Sequence, residues 1–183
     1  MDSLDTKALH LLMGTGRATW AELGQLLGLS APSAAERVRK LEERGVIRGY
    51  AALVDPASVG HPLTAYISVS LASHRDRAPF LRAIEKMDQV AECHHVAGDD
   101  DYLLKVRCRG TQDLDHLLAK ELKEKVGVAR TRTTIVLSTA KESVRVPVAE
   151  EGRGQLEAGE RGERRHRKGT ARKTNAIRRA QDF

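Results

Sequence analysis

The chain has 183 residues, room for one or two small domains, with a net charge of +6 and a pI of about 9.5. Its two cysteines, Cys93 and Cys108, exclude the disulfide framework of a small secreted scaffold. No apolar run approaches the roughly 20 residues that cross a bilayer, and Met1 to Leu12 carries Asp2, Asp5 and Lys7 where a secretory leader is apolar, so a cytoplasmic protein without a membrane span is expected.

Leu4, Ala8, Leu11 and Leu12 share one face of a first helix, capped by Asp2 or Ser3 and ended by Gly14-Thr15-Gly16. Thr19 and Glu22 form a capping box for a second helix, whose apolar stripe is Leu23, Leu26 and Leu27. Gly28 ends it in the left-handed conformation, and Leu29 packs back under the turn. Ser30 caps a third helix in which Ala35, Val38 and Leu41 face inward. Ser33, Arg37, Lys40 and Arg44 fall at i, i+4, i+7 and i+11, one continuous polar stripe. Small residues at its start, Ala31, Ser33 and Ala34, leave room for a partner's backbone. Trp20 is expected near the small core that three helices enclose. Two helices, a glycine turn and a basic stripe on the second helix spell a helix-turn-helix. Glu36, Glu42 and Glu43 dilute that stripe, and a helical hairpin with a solvated face is the alternative.

Gly45 stops the third helix, and Val46 to Val54 reads as a strand linking two domains, broken by Asp55-Pro56 and Gly60-His61-Pro62. Leu63 to Leu71 alternates apolar with polar residues as a strand. Phe80, Ala83, Ile84 and Met87 then have helical spacing, with Pro79 in the first turn. Strands follow at Val90–Val96 and Tyr102–Cys108, joined by the turn Gly98-Asp99-Asp100-Asp101. Thr111 or Asp113 caps a helix carrying Leu114, Leu117, Leu118 and Leu122, ended by Gly127, and Val128–Ser138 is the last strand. The order β-α-β-β-α-β predicts an α+β protein with a ferredoxin-like second domain. Two helices cover one sheet face. Leu103 and Val136 point to apolar residues on the other, which predicts a second copy against it as a two-fold dimer. The division is residues 1–50 for DNA, 51–62 as linker, 63–146 as the ferredoxin-like domain and 147–183 as a disordered basic tail. From Pro147 on, ten Lys/Arg oppose six Asp/Glu, so the tail carries +4 of the net charge. Its clusters, Arg164 to Lys168 and Arg172-Lys173, read equally as a grip on phosphates or as solvated tail.

Several stretches in order carry a family resemblance: Leu4-Asp5, Leu29-Ser30, Glu36 to Glu42, Gly45 to Tyr50, Glu92-Cys93-His94, Gly98 to Lys105 and Thr131-Arg132-Thr133. Over roughly residues 2–146 the chain resembles the Lrp/AsnC (leucine-responsive and asparagine-responsive) transcriptional regulators. The resemblance implies a non-enzymatic regulator that binds double-stranded promoter DNA. It implies dimers that often assemble into octamers, and a small effector, usually an amino acid, bound between subunits. It implies no cofactor. The implied DNA-contacting residues are Ser30, Ser33, Arg37 and Lys40, with Arg39 and Arg44 on phosphates. The implied effector residues are Gly98, Asp99, Asp101 and Tyr102 at the hairpin and Thr131 and Thr133 on the last strand. Asp100 departs from the family, in which an aromatic residue is common there. Three adjacent carboxylates repel one another unless a cation neutralises them, which leads to the expectation of a cationic or polar effector. Cys93, His94, His95 and Cys108 read as packing, not as a metal site, because adjacent strand residues His94 and His95 point to opposite faces. Two other readings are a sirohaem-decarboxylase-like enzyme using those histidines and a nucleoid-organising DNA-binding protein.

Overall fold

The computed structural model describes residues 1–126 and 128–148; Gly127 and the tail beyond Val148 lie outside the described residues. The described chain divides into two compact units, Met1–Ala52 with residues 143–148, and Leu53–Glu142.

The first unit contains α1 (Ser3–Gly14), α2 (Trp20–Leu27) and α3 (Ala31–Glu43). Each start is capped as its sequence dictates. Asp2 and Asp5 form a reciprocal capping box on α1, Thr19 and Glu22 form another on α2, and the Ser30 hydroxyl accepts the Ser33 N–H on α3. Gly28 is left-handed, with φ 67°. The Leu29 N–H donates to the Gly24 carbonyl at 2.8 Å and the Gly28 N–H to that of Gln25 at 3.4 Å, the paired bonds of a Schellman motif. Gly24 is required by contact. A Cβ there would stand 2.7 Å from the Leu29 carbonyl oxygen, so only glycine lets the turn lie this close on α2.

Ala8, Leu23, Leu27, Ala34 and Val38 form the core, with Leu4, Leu11, Leu12, Leu29 and Ile47 packed on it. Three expectations are corrected. Ala34, not Ala35, is fully buried, because Ala34, Val38 and Leu41 at i, i+4 and i+7 follow the helical period more closely. Leu26 is half exposed, off the line of Leu23 and Leu27. Trp20 is 47% exposed: helical side chains lean toward the N-terminus, so a residue in the first position leans off the end of its helix. The expected strand Val46–Val54 is also absent. The segment belongs to no ladder, and a strand exists only by pairing.

The second unit is a four-stranded antiparallel sheet, β1 (Leu63–Leu71), β2 (Val90–His95), β3 (Tyr102–Cys108) and β4 (Val128–Ile135), in the order β2-β3-β1-β4. Helix α4 (Arg77–Ile84) joins β1 to β2. Helix α5 (Thr111–His116), continued by a π-helical stretch Leu117–Lys125, joins β3 to β4. The α5 N-cap is Gly110 and not Thr111 or Asp113; the Asp113 carboxylate instead accepts the Arg109 N–H at 2.9 Å. Ala65, Ile67 and Val69 of β1 and Tyr102, Leu104, Val106 and Cys108 of β3 face the helices and pack with Phe80, Ile84, Leu114, Leu117 and Leu122. β4 ends three residues earlier than expected, at Ile135 opposite Ala65, and one further bond, from the Val136 N–H to the Thr64 carbonyl at 2.9 Å, follows it.

The uncovered sheet face also differs from expectation. Tyr66, Leu103 and Val136 are apolar there, but the register sets them among Ser68, Glu92, His94, Lys105, Arg107, Arg130 and Arg132. The half-exposed Glu142 folds back to pair with Lys105 and, at 3.1 Å, with Arg107; Lys105 also holds Glu92 at 3.1 Å. An ion-paired face does not by itself demand apolar cover, so the argument for a dimer from that face loses its premise. No described helix is long and apolar enough to cross a membrane.

Candidate functional site

The polar stripe on α3 is not uniform. Lys40 is exposed and 3.8 Å from Glu36, and Arg44 is exposed at the end of the helix. Arg39 donates to both oxygens of Glu36, at 2.8 and 2.7 Å, and pairs with Glu43. The Ser30 and Ser33 hydroxyls lie 2.8 Å apart at the start of the helix. Arg37 leaves the stripe. Its Nη1 donates to Asp2 at 2.8 and 2.7 Å and to Asp5 at 2.5 Å, at the start of α1. The Asp5 N–H and the Arg37 guanidinium both bond the Asp2 carboxylate and hold its pKa below the ordinary value.

In the sheet unit the three hairpin carboxylates go different ways. The Asp100 carboxylate turns to the uncovered face, accepts the Ser70 hydroxyl at 2.9 Å and lies 3.3 Å from Arg130 and 2.9 Å from Arg132. The Ser70 bond, with the two guanidinium groups behind it, holds its pKa low. The cation that three carboxylates call for is therefore supplied by the chain itself. Asp101 turns the other way: its backbone N–H donates to the Val69 carbonyl at 2.9 Å and its carboxylate accepts the Leu71 N–H at 2.7 Å. It borders a cleft of about 280 Å³ lined also by Leu71, Ala72, Ser73, Arg77, His95 and Tyr102. Tyr102 is 2% exposed, its ring between Phe80 (4.7 Å) and His95 (5.2 Å). Its Oη is the one buried side-chain polar atom, among the described residues, without a hydrogen-bond partner. Gly98 and Asp99 do not line this cleft. Neither do Thr131 and Thr133, which lie opposite Val69 and Ile67 on the helix-covered face. A larger, open depression of about 520 Å³ beside Pro56, His61, Arg107 and Arg109 contains none of the expected site residues.

His94 and His95 do point to opposite faces. His94 lies 3.1 Å from Glu92 on the uncovered face, and His95 packs on Tyr102.

With this geometry in hand, comparison with known proteins is decisive. Residues 1–42 match the AsnC-type helix-turn-helix domain and residues 64–146 the Lrp/AsnC ligand binding domain. The chain belongs to the Lrp/AsnC family. The HTH-type transcriptional regulator LrpA of Mycobacterium tuberculosis (strain H37Rv) is 38% identical over 141 residues, 76% of this chain and 91% of that protein. A Neisseria meningitidis transcriptional regulator solved as its L-methionine complex superposes with a TM-score of 0.77 at 32% identity, covering 80% of this chain and 96% of that one. The feast or famine regulatory protein of M. tuberculosis, solved with L-methionine, gives 0.73 at 36% identity over 79% and 97%. This Lrp/AsnC chain is thus a transcriptional regulator with a DNA-binding helix-turn-helix and a ferredoxin-like domain.

Four residues were given no place at the hairpin by the sequence reading of this Lrp/AsnC regulator. Arg77 and His95 join the cleft by tertiary folding, which leaves no local signal. Arg130 and Arg132 alternate with Thr131 and Thr133, so the two-residue period already put them on the opposite face, toward Asp100.

Proposed function

We propose that the chain is a cytoplasmic, cofactor-free regulator whose promoter occupancy is tuned by an α-amino acid bound in the cleft between Asp101 and Arg77. The observation that carries this is the Tyr102 hydroxyl, buried without a partner on a residue that lines the cleft. A buried unpaired hydroxyl costs about 1–3 kcal/mol, a cost that a ligand oxygen or nitrogen removes. Asp101 and Arg77 have the charges to receive an ammonium and a carboxylate, and Leu71 and the Tyr102 ring offer apolar wall. Methionine in the two related structures agrees with this class of ligand. With Asp100 already neutralised by Arg130 and Arg132, a cationic effector is not required.

DNA contact on this reading falls to Ser30, Ser33, Lys40 and Arg44, with Arg39 near the backbone. The regulator acts as a homodimer. The unpaired segment 48–54, with Tyr50, Leu53 and Val54 exposed, supports pairing between copies, and dimers put two recognition helices on successive half-sites. The test is titration calorimetry with leucine, methionine, phenylalanine, lysine and arginine, paired with DNA-binding titrations with and without each. One amino acid should bind and shift DNA affinity. Tyr102→Phe and Asp101→Asn should abolish that shift while leaving effector-free DNA binding intact. Binding of none of them, or full response in both variants, would remove the cleft from the account.

A further inference from the structure

We infer that Arg37 is a positioning residue, which sets the recognition helix against α1 and does not itself read DNA. The inference rests on α3 being the helix that docks on DNA. Three observations converge. Arg37 falls with Ala34, Val38 and Leu41 at i, i+3, i+4 and i+7, on the margin of the buried face. Its side chain is 27% exposed, against 64% for Lys40 one turn on. Its guanidinium is taken up by two carboxylates, Asp2 at 2.7 Å and Asp5 at 2.5 Å. Both carboxylates are themselves fixed, since they cap α1 through each other's backbone N–H at 2.8 and 3.1 Å.

The electrostatics decide against a phosphate contact. Two carboxylates and one guanidinium leave the cluster with a charge of −1, which repels DNA backbone. Turning Arg37 toward a base would strip Asp5, whose side chain is 9% exposed, of its cation and leave it only the Asp2 N–H, and a buried carboxylate whose counter-charge is removed is strongly unfavourable. Bound as it is, Arg37 ties the middle of α3 to the first turn of α1. That contact fixes where Ser33, Lys40 and Arg44 point.

The experiment uses the full chain, a duplex selected from a random-sequence pool by the wild-type protein, and an unrelated duplex of equal length. Affinities are measured across a salt series for Arg37→Gln, Asp5→Asn, the double variant and Lys40→Ala, below the melting temperature of each. Arg37→Gln and Asp5→Asn should each weaken binding to the selected duplex on the order of tenfold or more, the scale on which misplacing a positioned group acts. The double variant should be no worse than the weaker single. The ratio of selected to unrelated affinity should fall, and the slope of log affinity against log salt should stay at the wild-type value. Lys40→Ala should reduce that slope by about one. A slope reduced by about one in Arg37→Gln, with Asp5→Asn binding as tightly as wild type or tighter, would put Arg37 on the DNA and overturn the inference. Folded Arg37→Gln that binds both duplexes like wild type would overturn it too, reducing the contact to a brace for stability. If Lys40→Ala changes nothing, α3 does not dock, and that reading fails with this one. Should the primary variants not fold, Arg37→Lys and Asp5→Glu are read by the same criteria: weaker, less selective binding with an unchanged slope supports the inference, and any other result overturns it.

Discussion

The helical unit and the sheet unit reach a folded state by different means. Among the described residues, thirteen buried apolar residues lie in the sheet unit and seven in the helical one. With so little to bury, the helical unit relies on its helix ends: two capping boxes, a serine cap, a Schellman turn seated on Gly24, and one arginine reaching between helices. The sheet unit places its weight in the layer between strands and helices, and its polar groups are arranged as an ion-paired outer face. The lesson concerns vulnerability. Damage in the sheet unit scales with the volume removed from the core, whereas damage in the helical unit follows the geometry at a few chain reversals.

The largest expected effect tests whether the two can be damaged separately. Phe80→Ala removes a fully buried ring and should cost the sheet unit about 3–5 kcal/mol. Amide hydrogen exchange should show lost protection in β1 and β3 with α1 to α3 unchanged; equal losses everywhere would mean that the units unfold as one. Next comes Gly24→Ala, in which the added methyl meets the Leu29 carbonyl. It should cost the helical unit about 1–3 kcal/mol through overpacking, outweighing the roughly 1 kcal/mol gained in helix propensity. Its thermal transition by far-ultraviolet circular dichroism should fall, and a rise would show that the turn can move away. Thr19→Ala removes a cap and should cost about 1 kcal/mol, again confined to exchange in α2 and its neighbours.

The smallest effect sharpens the contrast at the outer face of the sheet. The bond from Lys105 is the main influence holding Glu142 below its ordinary value. For Glu92 the main influence is His94, followed by Lys105. The Glu142 bond in turn lifts Lys105 above its own ordinary value. The depressed glutamates contribute stability that is present above pH 4.5 and lost as pH falls through their lowered values. The raised lysine contributes stability that is present below pH 10.5 and lost as pH rises beyond it. Denaturant midpoints for the sheet unit should therefore be flat between and fall at both ends. Lys105→Met should flatten both ends together; an unchanged pH profile would show the network to be energetically silent.

Legibility followed the range of the signal. β1 and β3 were read to the residue because alternation is a local property, and Thr19 with Glu22 announced a helix start because both partners lie within one turn. The failures have non-local causes. Val46–Val54 has the composition of a strand but no neighbour in its own chain to pair with. Asp5 is buried where α3 brings Arg37 to the start of α1, a contact with no local signal. The demand for glycine at position 24 comes from the Leu29 carbonyl, which the turn brings back onto the helix. At the site, Asp101 and Tyr102, expected together at the hairpin, both border the cleft, but Arg77 and His95 arrive there by the fold of α4 and β2. Arg37 was assigned to the DNA stripe by periodicity, and its partners lie thirty-two and thirty-five residues upstream.

Trp20, leaning half exposed off the first turn of α2, is the sole tryptophan in the chain. Emission excited on the red edge of the absorption band thus arises from the DNA-binding unit alone, while the sheet unit stays dark. The protein carries its own optical label at the start of the helix-turn-helix, and quenching or a blue shift there would report events at that helix in unlabelled protein.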